Sequence, residues 1–412
     1  MKYFFPDSQD QIDPGFDFIN ERFSPNRIRQ LTDRYAHEIL RPIPYQGILV
    51  SKAAIDGDGK NRRYSLAHRR RFHREGVRKF YRLDEQSGER LEAMGDCGSI
   101  AYVREDRPNV TVQELIDYYE GGGFDYGIAP DHIIPAYRLE WDENPQAVAS
   151  QWVQRWKLTL KLAEQFIENH HHQKCSFQPI GVAQGWGKES FGIAVKILQE
   201  LGYRKIAIGG MAYRNSDIML NLLKYLKGKL DQTTNLHLLG ISRPELIAGI
   251  QNLQVTSFDS ASPLIRAFKE DWNNYDFVDE KPYTAIRVPN LNQSLKFQSR
   301  MREMKLPWKV TKKLELEALT QLRMWENYKT TIENVMKPLK ILSKILSKSM
   351  NYEKEYERTL KFRPWERCDC LMCKMYGIET IIFRGLEWNK RRGFHNLTIQ
   401  QKLIEINYRK NK

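Results

Sequence analysis

The chain has 412 residues, of which 41% are hydrophobic and 28% charged, a composition typical of a folded water-soluble protein with one large or two modest domains. No apolar run approaches the roughly 18 residues of a membrane-spanning helix, and no basic segment followed by an apolar stretch opens the sequence, so we expect a cytoplasmic protein without a membrane partner. The formal net charge of +14 favours a polyanionic partner, with nucleic acid as the leading candidate.

The first half of the chain alternates short apolar segments with amphipathic ones. This pattern predicts strands at 47–50, 92–94 and 126–129, a helix at 112–119 and a long helix at about 145–169. The rhythm is loose here, but it already indicates strands separated by helices.

From residue 179 onward the alternation becomes regular. The predicted strands lie at 180–183, 205–208, 236–239 and 255–258, and the predicted helices lie at 188–201, 215–226 and 244–253. Successive βαβ units with short turns predict a parallel sheet, and about seven or eight units predict an α/β fold of the TIM-type (β/α)8 barrel class. No G-x-G-x-x-G or Walker phosphate loop follows any of these strands, so a nucleotide-cofactor enzyme is disfavoured.

Beyond the last predicted strand the pattern changes to irregular loop and strongly charged helix. The clearest helical pieces are Leu314–Met324 and Ile332–Leu346. We therefore predict three regions, namely a barrel at 1–268, a helical insertion at 269–363 that is a candidate nucleic-acid-contacting region, and a zinc-binding subdomain at 364–412.

A cysteine cluster opens the last of these regions. Cys368, Cys370 and Cys373 are followed, 22 positions after the third cysteine, by His395. Three thiolates and one imidazole at this spacing are typical of a closed tetrahedral Zn²⁺ site. Because four protein ligands leave no position for water, we expect a structural zinc ion that stabilises the fold and takes no part in the reaction.

Polar residues and glycines follow the predicted barrel strands. They are Asp96, Asp131, Gln184 with Gly185, Gly209 with Gly210, and Asp259. Taken singly, each fits an ordinary loop turn or helix cap. Together they converge on the carboxyl end of one barrel, where barrel enzymes place their functional groups. Such a set can bind a polar heterocycle and perform acid/base chemistry.

A stretch rich in arginine and aromatic residues occupies positions 62–82. Its candidate nucleic-acid contacts are Arg69, Arg70, Arg71 and Arg74. The alternative interpretation of this stretch is a charged, solvated helix. A run of three histidines at 170–172 is interpreted as a solvated helix end and not as a metal site, because adjacent helical residues point in different directions.

The ordered motifs resemble those of the tRNA-guanine transglycosylase superfamily over about residues 95–395, roughly three quarters of the chain. The matching pieces are Asp96-Cys97-Gly98-Ser99, Ala129-Pro130-Asp131, Gly181-Val182-Ala183-Gln184-Gly185, Ile208-Gly209-Gly210-Met211-Ala212, Phe258-Asp259-Ser260 and the zinc string with Phe394-His395. The zinc spacing and the order of the set are specific, whereas no single piece is.

The resemblance implies a base-exchange reaction on a nucleic acid. It implies that Asp259 is the nucleophile, which expels guanine and holds the sugar covalently, and that Asp96 is the general acid/base. The residues that it places around guanine are Asp131, Gln184, Gly209 and Gly210 at the edge of the base, with Ile100 and Leu239 on its two faces.

Two departures from the tRNA enzymes lie on the substrate side. The loop from Asp96 to Ile100 lacks the family's aromatic stacking residue, for which Tyr102 is the expected substitute, and the interval from Asp259 to Cys368 is longer. The opening segment 4–18 is similar to the DpdA-like DNA-guanine transglycosylase branch. Members of that branch exchange guanine in DNA for a 7-deazaguanine, such as 7-cyano-7-deazaguanine, in phages and bacterial genomic islands.

The resemblance therefore favours DNA as the partner, a 7-deazaguanine as the incoming base, and the cytosol of a bacterium or a phage-infected host as the location. A tRNA-guanine transglycosylase is the first alternative. A non-catalytic, zinc-containing nucleic-acid-binding relative is the second. The sequence does not fix the oligomeric state, and a homodimer is left open.

Overall fold

The computed structural model describes residues 1–57, 63–84, 90–241, 243–278, 281–346 and 351–409. The chain divides into two compact units. The first contains Met1–Gln9, Tyr45–Ala261 and the residues from Ile404 onward, and the second contains Asp10–Pro44 and Ser262–Leu403. The sequence pattern did not predict that residues 10–44 belong to a different unit from the barrel strands. The predicted domain boundaries at 268 and 363 stay predictions.

The first unit is built on a closed barrel of eight parallel strands. The strands are β1 Lys2–Pro6, β2 Gly47–Ser51, β3 Glu92–Asp96, β4 Tyr126–Ile128, β5 Gln178–Ala183, β6 Lys205–Ile208, β7 Asn235–Leu238 and β8 Val255–Asp259. Neighbours pair in chain order, and β1 closes the barrel by pairing with both β2 and β8. This arrangement confirms the predicted TIM-type barrel.

The sequence pattern missed strand β1. Its register places Phe4 opposite Gly47 on one side and opposite Asp259 on the other. The segment is five residues long and carries three consecutive aromatic residues, so it shows no period-two alternation. Its burial on both faces, which is usual for a parallel strand, removes the polar positions that would have marked it.

Most helices of the first unit lie outside the barrel. They are α2 Lys52–Asp56, α3 Leu66–Phe80, α4 Val112–Gly122, α5 Glu140–Glu143, α6 Ser150–Gln173, α7 Lys188–Glu200, α8 Ser216–Lys227 and α9 Pro244–Gly249, with short 3-10 turns at Ser99–Tyr102 and Pro145–Ala147. The long helix that the sequence predicts from about residue 145 begins at Ser150, because Pro145 belongs to a separate 3-10 turn. Helix α9 ends at Gly249, four residues earlier than the pattern predicted.

The histidines at the end of α6 are only partly solvated. His171 and His172 are exposed, as expected. His170 is buried, and its Nε2 lies 2.7 Å from the carbonyl oxygen of Phe177, so the solvated interpretation was wrong at this residue.

The barrel interior is an apolar cluster. Its buried members are Phe4, Leu49, Met94, Ile128, Ile180, Val182 and Ala207, with Tyr126 and Leu239 packed against them. A filled interior of this kind leaves no channel through the barrel. A site can therefore form only at the ends of the strands.

The second unit is mainly helical. Its helices are α1 Ala36–Ile39, α10 Ser262–Lys269, α11 Leu295–Glu303, α12 Trp308–Glu326, α13 Ile332–Leu346, α14 Glu353–Phe362, α15 Pro364–Arg367, α16 Leu371–Tyr376 and α17 Leu386–Arg409, whose last residues belong to the first unit. Strands β9 Ile286–Arg287 and β10 Ile382–Phe383 form a small parallel sheet, and a 3-10 turn spans Gly377–Thr380. Among the described residues, no helix is long and apolar enough to span a membrane.

Candidate active site and metal centre

The candidate site residues of the barrel lie at the carboxyl ends of five strands. Asp96 ends β3 and Asp259 ends β8, while Gln184 and Gly209 directly follow β5 and β6. Asp131 lies three residues after β4. Because the strands are parallel, these ends share one rim of the barrel. The electrostatic effect of Asp131 and Asp259 on Asp96 indicates that the three carboxyl groups lie close together.

The Asp259 carboxylate is held through one of its oxygens. Oδ1 accepts a hydrogen bond from the backbone N–H of Gly240 at 3.0 Å and lies 3.2 Å from Nε2 of His237. His237 is fully buried, and its Nδ1 lies 2.8 Å from the hydroxyl of Ser257. Burial lowers the pKa of His237, against the opposing effect of Asp259, so the ring is neutral near pH 7. Within the part of the chain that the structure describes, no group donates to Oδ2 of Asp259.

The Asp96 carboxyl group has a raised pKa. Burial, followed by the charges of Asp131 and Asp259, raises the pKa of Asp96 to about 7. Its Oδ2 accepts a hydrogen bond from the N–H of Gly98 at 3.0 Å. A carboxyl group with this pKa can both donate and accept a proton near neutral pH, which is what a general acid/base requires.

Asp131 and Gln184 form a buried hydrogen-bonded pair. The Gln184 amide nitrogen donates to Asp131 Oδ2 at 2.7 Å, and the Gln184 amide oxygen accepts from the N–H of Ile134 at 3.2 Å. The Cys97 thiol lies 3.6 Å from the other oxygen of Asp131. Burial raises the pKa of Asp131, although the hydrogen bonds from Gln184, Ser99 and Cys97 oppose this. The arrangement fixes both polar groups and gives the site donors and acceptors for a heterocycle.

The glycine pair after β6 leaves room for the Gln184 side chain. A Cβ atom at Gly209 would lie 2.3 Å from the Gln184 amide nitrogen. A Cβ atom at Gly210, whose φ is +73°, would lie 2.7 Å from the carbonyl oxygen of Ile134 and 2.8 Å from the Gln184 amide oxygen. Side chains at either position would therefore displace Gln184, and the backbone conformation at Gly210 favours glycine in any case.

The two apolar candidates lie in different environments. Ile100 is 76% exposed in the turn after β3, whereas Leu239 is partly buried against the barrel core. Tyr102, the expected substitute for the missing aromatic residue, is only 1% exposed, and its hydroxyl lies 2.8 Å from the Cys97 sulfur. Its ring supports the loop and is not open for stacking on a base, so the expectation for Tyr102 was wrong.

Sequence reasoning missed His237 and Cys97 as members of the site. His237 is a single histidine in an apolar strand, which the pattern assigns to the core. The available signal was the neighbouring strand, because the alternate residues Ser257 and Asp259 of β8 face the same side as His237 of β7. For Cys97 the signal was its place directly after Asp96.

The predicted metal ligands lie together in the second unit. Cys368, Cys370, Cys373 and His395 are all buried, and their ligand atoms lie within 4.8 Å of one another. The three sulfur atoms lie 3.6, 3.3 and 3.4 Å from His395 Nδ1. In a tetrahedral zinc site with bonds of about 2.3 Å to sulfur and about 2.1 Å to nitrogen, these separations are about 3.6 Å. The donor set could therefore hold a metal ion.

Contacts around the cluster orient the histidine. His395 Nε2 lies 2.8 Å from the carbonyl oxygen of Asp276, so Nε2 carries the proton and Nδ1 is left as the atom that could bind a metal. The ring of Tyr275 stacks on His395 with 3.8 Å between centroids, and its hydroxyl lies 2.9 Å from the Cys373 sulfur. A histidine fixed by an outer hydrogen bond is typical of metal sites in proteins.

The basic stretch is less open than its composition indicates. Its interleaved aromatic residues, Tyr64, Phe72, Phe80 and Tyr81, are all buried and cannot stack on bases. Arg69 pairs with Asp56 and Arg71 with Glu75, whereas Arg70 and Arg74 are exposed. Arg74 also lies 3.1 Å from Glu75. Arg62 of this stretch lies outside the described residues.

Comparison with known proteins indicates the family of the chain. No protein-family model matches the chain. The chain is 40% identical over 403 residues to a protein of Salmonella montevideo named DNA-guanine transglycosylase, and the match covers 97% of this chain and 95% of that protein. The similarity therefore extends over both compact units.

Proposed function

The chain belongs to the DNA-guanine transglycosylases, and on this premise we propose that it exchanges guanine in DNA for a 7-deazaguanine base, such as 7-cyano-7-deazaguanine. The observation that carries the mechanism is the pairing of two unlike carboxyl groups at the barrel rim. Asp259 is anchored through Oδ1 only, and the pKa of Asp96 is raised to about 7, mainly by burial. One group suits nucleophilic attack and the other suits proton transfer.

In the first half of the reaction, Oδ2 of Asp259 attacks C1′ of the target deoxyguanosine. The bond between C1′ and N9 breaks, its electron pair goes to guanine, and the Asp96 carboxyl group gives the departing base a proton. The sugar is then held as an ester of Asp259. The hydrogen bonds that His237 and Gly240 donate to Oδ1 support Oδ2 as the attacking atom, because they leave that oxygen without a donor among the described residues.

In the second half, the incoming 7-deazaguanine replaces guanine. The Asp96 carboxylate accepts the proton from the ring nitrogen of the incoming base, which then attacks C1′ and releases Asp259. The Asp131 and Gln184 pair and the backbone of Gly209 and Gly210 read the edge of either base. Because guanine and a 7-deazaguanine share that edge, one pocket serves both halves of the reaction.

Ile100 and Leu239 are proposed to contact the two faces of the base. The exposure of Ile100 supports this role, because an apolar side chain open at the rim gains contact when a base enters. A base inside a duplex must be flipped out to reach such a site, at a cost of roughly a few kcal/mol.

We further propose that the metal is zinc and that its role is structural. The three cysteines and His395 supply four protein ligands, which supports a closed site. Bound zinc would link the segment around Cys370 to helix α17. Arg69, Arg70, Arg71 and Arg74 are proposed DNA contacts, with most of the contribution from the exposed Arg70 and Arg74. The reaction would take place in the cytosol of a bacterium or phage-infected cell.

The experiment that tests this proposal follows base exchange directly. The purified protein is incubated with 7-cyano-7-deazaguanine and with duplex DNA, single-stranded DNA or a tRNA transcript, and the nucleosides are then analysed by mass spectrometry. We expect the modified deoxynucleoside in DNA and the release of an equal amount of guanine. Modification of tRNA with none in either DNA would overturn the choice of substrate. Exchange of labelled guanine without 7-cyano-7-deazaguanine incorporation would overturn the choice of incoming base.

A further inference from the structure

A short segment of the second unit carries a high density of positive charge. Residues 295–313, which comprise α11, the following turn and the start of α12, contain seven Lys and Arg residues and one acidic residue, Glu303. Glu303 pairs with Arg300, and Lys312 pairs with Glu315 of the next helical turn. The other five basic residues are Lys296, Arg302, Lys305, Lys309 and Lys313. Among the described residues, none of these five has an ion-pair partner.

The five side chains lie on the solvent side of their helices. All of them are exposed, whereas Phe297 and Met301 of α11 and Thr311 and Glu315 of α12 are buried on the opposite side. Lys309 and Lys313 are one helical turn apart, about 6 Å along the axis. The two helices and the turn between them therefore expose a dense set of cations that are unpaired among the described residues, which we call the basic face.

Several cations on the other charged helices of the same unit are paired with acidic residues. On α13 and α14, Lys340 pairs with Glu353, Lys361 with Glu357 and Arg358 with Glu355. Such pairing is the usual state of a solvated, charged helix surface. The unpaired cations of the corner are available to an external anion.

An exposed aromatic side chain lies between Lys305 and Lys309 in the sequence of this basic face. Trp308 is the first residue of α12 and is 48% exposed, and Val310, two residues later, is also exposed. Exposed aromatic residues among unpaired cations are typical of surfaces that hold a nucleic-acid strand, where the cations contact phosphates and the ring stacks on a base or sugar.

We propose that the corner between α11 and α12, formed by Lys296, Arg302, Lys305, Trp308, Lys309 and Lys313, is a docking surface for the DNA backbone. This inference rests on the proposed function, because it takes DNA as the substrate. The surface contributes affinity and not sequence preference, since contacts to phosphate carry no sequence information. Trp308 gives it a preference for single-stranded or distorted DNA, in which a base face is accessible.

The test compares two variants that lose the same charge. The corner variant is Lys305→Gln with Lys309→Gln and Lys313→Gln, and the control is Lys224→Gln with Lys227→Gln and Lys229→Gln, which changes three exposed lysines at and after the end of α8. DNA affinity is measured over a range of salt concentrations on duplex and single-stranded oligonucleotides of unrelated sequences. Circular dichroism and metal content check that both variants are folded.

We expect the corner variant to bind every DNA sequence roughly tenfold or more weakly at moderate salt, while the control stays within about twofold of the parent. The slope of log affinity against log salt should fall by about 2 to 3 on duplex DNA, at about 0.9 for each lost phosphate contact. Trp308→Ala should weaken single-stranded binding by about fivefold or more, with a smaller effect on duplex. The turnover number for base exchange at saturating DNA should not change, whereas KM for DNA should rise.

Equal salt slopes for the corner variant and the control would overturn the proposal. A loss of affinity for tRNA or for anionic lipid vesicles, with DNA binding unchanged, would also overturn it. The outcome is separable from that of the proposed function. A parent protein that binds DNA through this corner but exchanges no guanine in DNA would refute the proposed reaction alone.

Discussion

Replacing Asp96 by Asn should abolish base exchange but stabilise the folded protein at alkaline pH. The cause is the position of Asp96 in a partly buried site, where burial and the charges of Asp131 and Asp259 raise its pKa from 3.8 to about 7. A carboxyl group in this setting resists ionisation, and its charged form costs free energy in the folded state. Asn removes the charge and retains an oxygen that can accept the hydrogen bond from Gly98.

The expected size of the effect follows from this pKa. The folded state binds the Asp96 proton more tightly than the unfolded state, so the parent loses stability as pH rises from about 4 to about 7. A difference of about three pKa units, at about 1.4 kcal/mol for each unit, sets an upper limit of about 4 kcal/mol. The partial solvent contact of the side chain reduces this value. The Asn variant should therefore match the parent near pH 4 and exceed it most above pH 7.

Urea unfolding of both proteins from pH 4.5 to 8.5 would measure the difference. Asp56→Asn is a control of opposite sign in the same unit, because contacts with His73, Lys52 and Arg69 outweigh burial and lower the pKa of Asp56. That variant should be less stable than the parent above pH 4. An Asp96→Asn protein that is no more stable than the parent at pH 8, or whose advantage does not vary with pH, would refute the electrostatic coupling at the rim.

Three further changes test other parts of the account. His237→Leu removes a donor to Asp259 and should lower kcat about ten- to a hundredfold, with DNA affinity unchanged. His237→Gln keeps a donor and should recover part of the loss. Unchanged single-turnover rates in the Leu variant would contradict this role of His237. Cys370→Ser should lower Tm by roughly 10 °C and reduce the metal content, while the exchange rate of the folded fraction stays near that of the parent. Stable, active protein in which elemental analysis finds no zinc would exclude a structural zinc. Arg70→Gln with Arg74→Gln should reduce the slope of log DNA affinity against log salt concentration by about 1 to 2 and leave base selectivity intact. An unchanged slope would assign these arginines to a solvated surface.

The barrel could be predicted from the sequence because its signal is repeated. From β5 to β8, short apolar strands alternate with amphipathic helices, and the predicted bounds differ from the observed ones by few residues. Strand β1 could not be found in this way, since a five-residue aromatic segment buried on both faces has no periodicity. Its assignment needs the closed barrel, in which β2 and β8 require a strand between them.

The clustering of Cys368, Cys370, Cys373 and His395 was predictable from their spacing, and the place of the candidate rim residues at the strand ends was predictable from their positions after the predicted strands. The contacts that differentiate these residues were not predictable. The anchoring of Asp259 by His237 depends on the register between β7 and β8, and the burial of Tyr102 depends on how the turn after β3 folds back. The ion pair of Arg69 likewise depends on the fold, because Asp56 has no sequence signal that marks it as the partner. The Arg71–Glu75 pair, in contrast, has the i,i+4 spacing that indicates a pair on a helix.

Trapping the covalent intermediate tests the central claim most directly. The protein is mixed with guanine-containing DNA without an incoming base, denatured, digested with protease and nuclease, and analysed by mass spectrometry. We expect a deoxyribose adduct on the peptide that contains Asp259, formed by the parent and absent from Asp259→Asn, although that variant still binds DNA. An adduct on another residue, or guanine exchange by Asp259→Asn above a few per cent of the parent rate, would contradict the account.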